Sequence, residues 1–298
     1  MTRRVSSLKP KPWVFRRLPV YIGLLLATLF SFWPIMIMFF EGASIDLGPL
    51  WSGKGISFVS GVPYYSGGFF PSWANFRDAL ALGEFPRLVF NSTTIAMLSI
   101  AIALAAGIPA GYALARSKLR GMGAMGFLLL ALRTVSPFAI VLPLYLTYVQ
   151  VGLFDSYLGM SLAYLVIDVP VVVWMLSGFF REVPERIYEA AESSGASERQ
   201  IFWKVAVPSV VVGIAATAIF AFVLIWNEFL MASLLTGAVT KTVSVGVWSG
   251  VGEGFGGLRS ANWDAINAAG ALAFVPAFAL ILVVRQYLAK GFSLATAS

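Results

Sequence analysis

The sequence predicts an all-α, polytopic membrane protein with six transmembrane helices and a helix-turn-helix loop between the fourth and fifth. Three observations carry that prediction. Of 298 residues, 59% are hydrophobic and 12% charged, with a mean hydropathy of +0.83, whereas soluble domains average about half apolar and a quarter charged. Six long stretches are nearly free of charge, and a helix needs about 20 apolar residues to cross a bilayer. The runs do not alternate in the way a closed β-barrel requires.

The six helices are expected near 18–40, 88–115, 123–149, 158–180, 207–235 and 264–285. The first has a basic flank from Arg3 to Arg17, as a signal peptide does. Its apolar run is too long for one and no small-residue cleavage site follows, so it reads as a retained helix. The third is uncharged from Thr134 to Phe154 and extends backward if Arg133 is tolerated; the fourth is interrupted only by Asp168. Pro137, Pro143, Pro170 and Pro276 suggest bent helices around a cavity. Gly107 and Gly111, four apart with Pro109 between them, predict close helix packing or a kink. Asn91-Ser92-Thr93, at the start of the second helix, reads as a cap rather than a glycosylation site.

Lys and Arg in the loops set the orientation. With the N-terminus inside, fifteen lie on the cytoplasmic side and five, Lys54, Arg77, Arg87, Lys241 and Arg259, on the other. Both termini are therefore expected in the cytoplasm. The layout is a cytoplasmic N-terminal segment 1–17, a transmembrane domain 18–285 and a cytoplasmic tail 286–298. Two long loops, 41–87 and the Gly-rich 236–263, face outward, and 181–206 is the substantial inner loop. The aromatics of 41–87, Trp51 to Trp73, suit either the membrane interface or an external partner.

Composition excludes several chemistries. The chain has no cysteine and no histidine, so it has no disulfide, thiolate nucleophile, imidazole base or His/Cys metal site. No nucleic-acid module fits this composition. No P-loop motif occurs, so the chain is not expected to hydrolyse ATP alone. Gly252, Gly254 and Gly257 match a dinucleotide pattern formally, but no strand precedes them and no helix N-terminus follows directly.

The inner loop is the most informative segment. Pro184 suits a first helical turn, and Glu185 to Glu192 follow at helical spacing. Gly195 can take the left-handed conformation that ends a helix. Ser197 and Gln200, three apart, predict a capping box opening a second helix, whose apolar stripe is Ile201, Phe202 and Val205. Pro208 then stands at the membrane entrance. The result is a short, rigid elbow, with Glu185, Glu189 and Glu192 beside small alanines that let another surface approach closely.

Glu189-Ala190-Ala191, Gly195, Val205, Val207 and Pro208 resemble the EAA loop of importer-type ABC permeases, in spacing throughout. Val205 and Val207 stand where that motif has Ile and Leu. The resemblance is to the carbohydrate-uptake group, of the maltose-transporter small-permease type. Asn91-Ser92, Tyr112 to Arg116, Pro143-Leu144-Tyr145, Trp226 to Leu230 and Arg285-Gln286-Tyr287 extend it. The tail after Gly291 departs from the family's ending, which weakens any role for it in contacting the ATPase.

The resemblance implies a membrane subunit of a binding-protein-dependent importer of a sugar or sugar-like solute. It implies a second permease subunit, two ATPase subunits that carry ATP and Mg2+, and an extracytoplasmic solute-binding protein. This chain would itself hold no cofactor and catalyse no reaction. The elbow would be the coupling helix seated on an ATPase. An ion-coupled secondary transporter is the alternative; an intramembrane enzyme lacks the His, Cys and G-x-S-x-G parts it would need.

Four further residues are candidates for a solute path or gate. Arg133 and Asp168 are ionisable within predicted spans, where such residues usually face the bundle interior. They suit either a polar lining or a brace between helices three and four. Asn227 and Glu228 lie in the outer half of helix five. Trp248, Phe255 and Trp263, in the Gly-rich loop, suit a contact with the binding protein or a plain linker.

Overall fold

A computed structural model describes residues 12–43, 73, 76–77, 80, 84–117, 121–132, 134–249, 266–279 and 282, and among them every regular element is helical. In chain order these are α1 (Pro12–Gly42), α2 (Glu84–Arg116), α3 (Met122–Leu132), α4 (Pro137–Val151) and α5 (Tyr157–Glu182). The elbow helices are α6 (Glu185–Ser193) and α7 (Glu198–Ser209); α8 (Val211–Trp226), α9 (Leu230–Leu235), α10 (Val243–Ser249) and α11 (Ile266–Ala279) follow.

The α2–α5 pair is the centre of the bundle, and α8 packs on both. Glycine makes that approach possible. A Cβ at Gly107 would lie 2.5 Å from Val172 Cγ1, and one at Gly111 would lie 2.9 Å from Leu176 Cβ. These two positions do pack helices closely, as their spacing suggested. Ile95, Ala96, Ala103, Met160, Ala163 and Leu176 fill the seam. Helix α11 joins through Trp226, whose indole N–H donates to the Ala273 carbonyl at 3.0 Å. Gly42, at the end of α1, sits against the α11 backbone at Ala268. Nearby, Met38 approaches Gly270 and Phe39 meets the rings of Trp73 and Phe76, while residues 19–36 of α1 are exposed among the described residues. Among the described residues, three helices are long and apolar enough to span a membrane, or four if the bent pair α7–α8 counts as one span.

Several expectations are corrected. The third expected helix, 123–149, is two helices, α3 ending at Leu132 and α4 beginning at Pro137, with 134–136 non-helical between them. Ser136 is extended, with ψ 127°, because the ring of Pro137 disfavours helical geometry in the residue before it. The fifth, 207–235, is bent by 69° at Val210 and ends at Trp226, with α9 as a separate piece. Pro208 explains the preceding turn: it has no N–H for the carbonyl four residues back. The helix widens to a π turn over Phe202–Ala206, in which Val207 N–H reaches the Phe202 carbonyl. Helix two begins at Glu84, so Asn91 is not a cap but an interior residue. Part of the segment 236–263, expected as a loop, is helical, as α10.

Asn91 instead ties distant segments together. Its amide donates to the carbonyls of Val239 and Lys241, each at 2.9 Å, and its Oδ1 accepts from Tyr157 at 2.7 Å. Ser92 Oγ accepts from Val243 N–H at 2.8 Å. Beside them, Asp155 Oδ1 accepts from the N–H groups of Gly237 (2.8 Å) and Thr240 (2.9 Å) and from the Thr240 hydroxyl (2.7 Å). Its Oδ2 accepts from Val239 N–H at 3.0 Å.

Partial burial alone would raise the Asp155 carboxyl, but these four donors outweigh it and hold the group below its ordinary range. A lowered carboxylate contributes stability that is full above its unfolded-state value near 3.9 and is lost as pH falls through the folded value. The thermal stability gap between the wild type and Asp155→Asn is therefore expected to stay constant from about pH 8 to 5. It closes below about pH 4. Melting curves at each pH check this.

Candidate functional site: an elbow stapled to the end of the central helix

The elbow forms because its signals are local. Helix α6 opens after Pro184, which is the cap rather than the first helical residue. It closes at Ser194, and Gly195 follows with φ +77°, the left-handed region that favours glycine. The cap of α7 is the one the spacing predicted: Gln200 Oε1 accepts from Ser197 N–H at 2.9 Å.

Packing then sets how the elbow sits. Tyr188 of α6 and Ile201 of α7 are almost completely buried in the main core. The Tyr112 ring of α2 lies 5.0 Å from Phe202, 5.4 Å from Phe180 and 6.4 Å from Tyr188. These aromatics knit the elbow to α2 and α5 at once.

Charge completes the joint. Arg116, the last residue of α2, donates to the Glu185 carboxylate and lies 3.6 Å from Glu192. Its guanidinium sits 4.1 Å above the Tyr188 ring. A cation here also suits the carbonyl end of α2. Two carboxylates of the expected acidic stripe thus turn to Arg116, while Glu189 and Ala190 stay exposed.

A hollow of about 420 Å3 opens on the elbow, lined by Ala191, Ser194, Gly195, Ala196, Gln200, Lys204 and Val205. It brings together three of the seven motif residues. Val207 and Pro208 lie further along α7, toward the bend.

The remaining candidates are scattered. Asp168 is fully buried in α5, where its Oδ2 accepts from Ser99 of α2 at 3.3 Å. Arg133 lies outside the described residues. Asn227 returns its amide to the Val223 carbonyl at 2.8 Å. Glu228 accepts from Met231 N–H at 2.9 Å and Ala232 N–H at 3.1 Å, so it satisfies the N-terminus of α9. Trp248 is exposed on α10, edge-on to Phe229 at 5.9 Å. Phe255, Trp263 and the Gly-rich pattern 252–257 lie outside the described residues, as does the tail 286–298.

Arg116, read in the sequence only as the end of a family-like segment, and Asp155, not singled out at all, are charged residues whose contacts the sequence reading missed. A cation closing an apolar helix and a lone acid between two apolar runs were the available signals. Neither names its partner.

Long apolar helices with a clamped amphipathic elbow at one end define the class: a multi-pass membrane protein. Residues 103–294 match the family model described as "binding-protein-dependent transport system inner membrane component", and the chain belongs to that family. It is 32% identical over 240 residues to "Probable ABC transporter permease protein y4oR" of Sinorhizobium fredii, covering 80% of this chain and 84% of that one. It is 30% identical to the trehalose transport system permease protein SugB of Mycobacterium tuberculosis, covering 73% and 78%. Among solved structures, a chain of a bacterial ABC transporter involved in the import of the acidic polysaccharide alginate shares the fold. The TM-score is 0.68 at 19% identity, covering 95% of this chain and 99% of that one. The chain is thus a transport permease subunit, not an enzyme.

Proposed function

We propose that this chain imports a sugar or sugar-like solute as one of two permease subunits, with two ATPase subunits and an extracytoplasmic solute-binding protein. ATP and Mg2+ sit on the ATPases. The similarity to a trehalose permease supports the cargo class. In this reading the chain crosses the membrane six times: α1, α2, α3 with α4, α5, α8 with α9, and the segment containing α11. Both termini and the loop 181–206 are cytoplasmic, in the layout 1–17, 18–285 and 286–298, as the distribution of Lys and Arg supports.

The observation that carries the mechanism is the elbow itself, locally capped and rigid, with Glu189 and Ala190 exposed and α2 and α5 held behind it. The elbow seats on an ATPase, and closure of the two ATPases moves it. Glu189, Ala190, Ala191, Gly195, Val205, Val207 and Pro208 form the coupling element. The aromatic joint and Arg116 pass the displacement to α2 and α5. Asp168 is read as a brace between those helices, because it is fully buried and bonded to Ser99. Trp248 is assigned to the face that meets the binding protein.

The test uses the assembled complex in membrane vesicles and uptake of a panel of radiolabelled mono- and disaccharides that includes trehalose. Glu189→Lys reverses a charge on the exposed face, and Gly195→Pro cannot adopt φ +77°. Each is expected to reduce ATP-driven uptake at least tenfold, with membrane insertion and partner permease retained. Normal uptake in both variants overturns the coupling assignment.

A further inference from the structure

Helix α2 is held in different ways at Arg116 and, two turns inside its other end, at Asn91. At Arg116 the partner carboxylates are half exposed, at 57% and 52% for Glu185 and Glu192, so salt and water compete for that joint. Some 25 residues back, roughly 37 Å along the helix, Asn91 and Asp155 hold the segment 237–241 through its backbone. Both Asp155 oxygens are engaged there by backbone N–H groups, with the Thr240 hydroxyl as a further donor.

The backbone is committed as well. Asp155 has φ +52°, a region that residues with a Cβ rarely occupy and that persists only when the surroundings over-determine it. Its own N–H donates to the Leu235 carbonyl at the end of α9, at 3.1 Å. Gly237 is pressed so close that a Cβ there would lie 2.7 Å from Asp155 Oδ2. Tyr157, the first residue of α5, bonds Asn91 of α2.

We propose that Asp155 and Asn91 form a clasp that stays closed throughout transport, so that the ends of α2, α5 and α9 move as one block. This rests on the transport reading above. A displacement delivered at the elbow then tilts the block as a whole, because its far end cannot fan open. The access switch opens along surfaces other than those joined by the clasp. Asp155 and Asn91 are positioning residues in this scheme.

The test exploits a chain without cysteine. Asp155→Cys with Gly237→Cys places the only two thiols of this chain on Cβ positions 3.4 Å apart, just under the disulfide range of about 3.5–4.5 Å. The full complex in vesicles is oxidised with copper phenanthroline, both nucleotide-free and trapped with ATP and vanadate. ATP hydrolysis stimulated by the solute-binding protein is measured before and after oxidation, with the oxidised wild type as control.

Cross-linking is expected within twofold in both states, and the oxidised double variant should be stimulated at least threefold more than its reduced form. A yield differing more than twofold between states, or oxidation that lowers stimulation, overturns the clasp. Should the double variant fail to accumulate, Asp155→Asn serves, since its amide nitrogen cannot accept the same bonds. Stimulation at least fivefold below wild type supports the clasp, and wild-type stimulation overturns it. A wild-type complex that the binding protein does not stimulate defeats the transport reading instead, and the cross-link yields still judge the clasp.

Discussion

Arg116→Glu is expected to uncouple ATP hydrolysis from uptake, and Glu185→Arg on the same background to restore part of the coupling. Arg116 contacts Glu185, Glu192 and the Tyr188 ring together. Each ion pair involves a half-exposed carboxylate and is worth no more than about 1 kcal/mol, and the ring contact adds about 0.5–1. Losing them, with repulsion in their place, costs about 2 kcal/mol, roughly a thirtyfold drop in the correctly seated elbow. Uptake should fall by at least tenfold while membrane levels stay near normal, because Tyr188 and Ile201 still anchor the elbow in the core. The swapped pair should recover at least threefold. Arg116→Glu with wild-type uptake, or a swap with no recovery, removes the electrostatic part of the joint.

A larger effect, on stability rather than coupling, is expected at the α2–α5 seam. In Gly111→Leu the Cβ alone would stand 2.9 Å from Leu176 Cβ, 3.2 Å from the Ser177 backbone nitrogen and 3.3 Å from the Val173 carbonyl oxygen. Two of those neighbours are backbone, so no rotamer change can clear them. Overpacking an ordinary core costs about 1–3 kcal/mol, and forcing two helix backbones apart lies at or above the top of that range. The variant is expected to reach the membrane at less than a tenth of the wild-type level. Gly178→Leu is the matched control, since a Cβ there meets nothing within 4 Å; it should accumulate normally. Immunoblots of membrane fractions decide between the two outcomes.

The Gly111 prediction shows how far sequence reading reaches. A pair of glycines four apart signals a close approach, but not which helix approaches. Leu176 and Val173 lie more than sixty residues away, and only the fold brings them to Gly111. The bend in the fifth expected helix was hidden in the same way. An uncharged run looks continuous whether it crosses straight or bends, so the 69° bend at Val210 left no mark in the hydropathy, whereas Arg133 and Pro137 stand next to the break in the third.

The elbow is the opposite case. Ser197 and Gln200 are three residues apart, and Gly195 ends α6 by its own conformational freedom. Interactions that close within one helical turn are written directly in the order of residues. Membrane class, the elbow and the family follow from such short-range order and from composition. Arg116 with Glu185, Asp155 with Gly237 and Asn91 with Val239 join residues 69, 82 and 148 positions apart. A donor advertises its chemistry in the sequence but not its acceptor, and the choice among many chemically equal acceptors is made only when packing of the apolar helices fixes which ends meet.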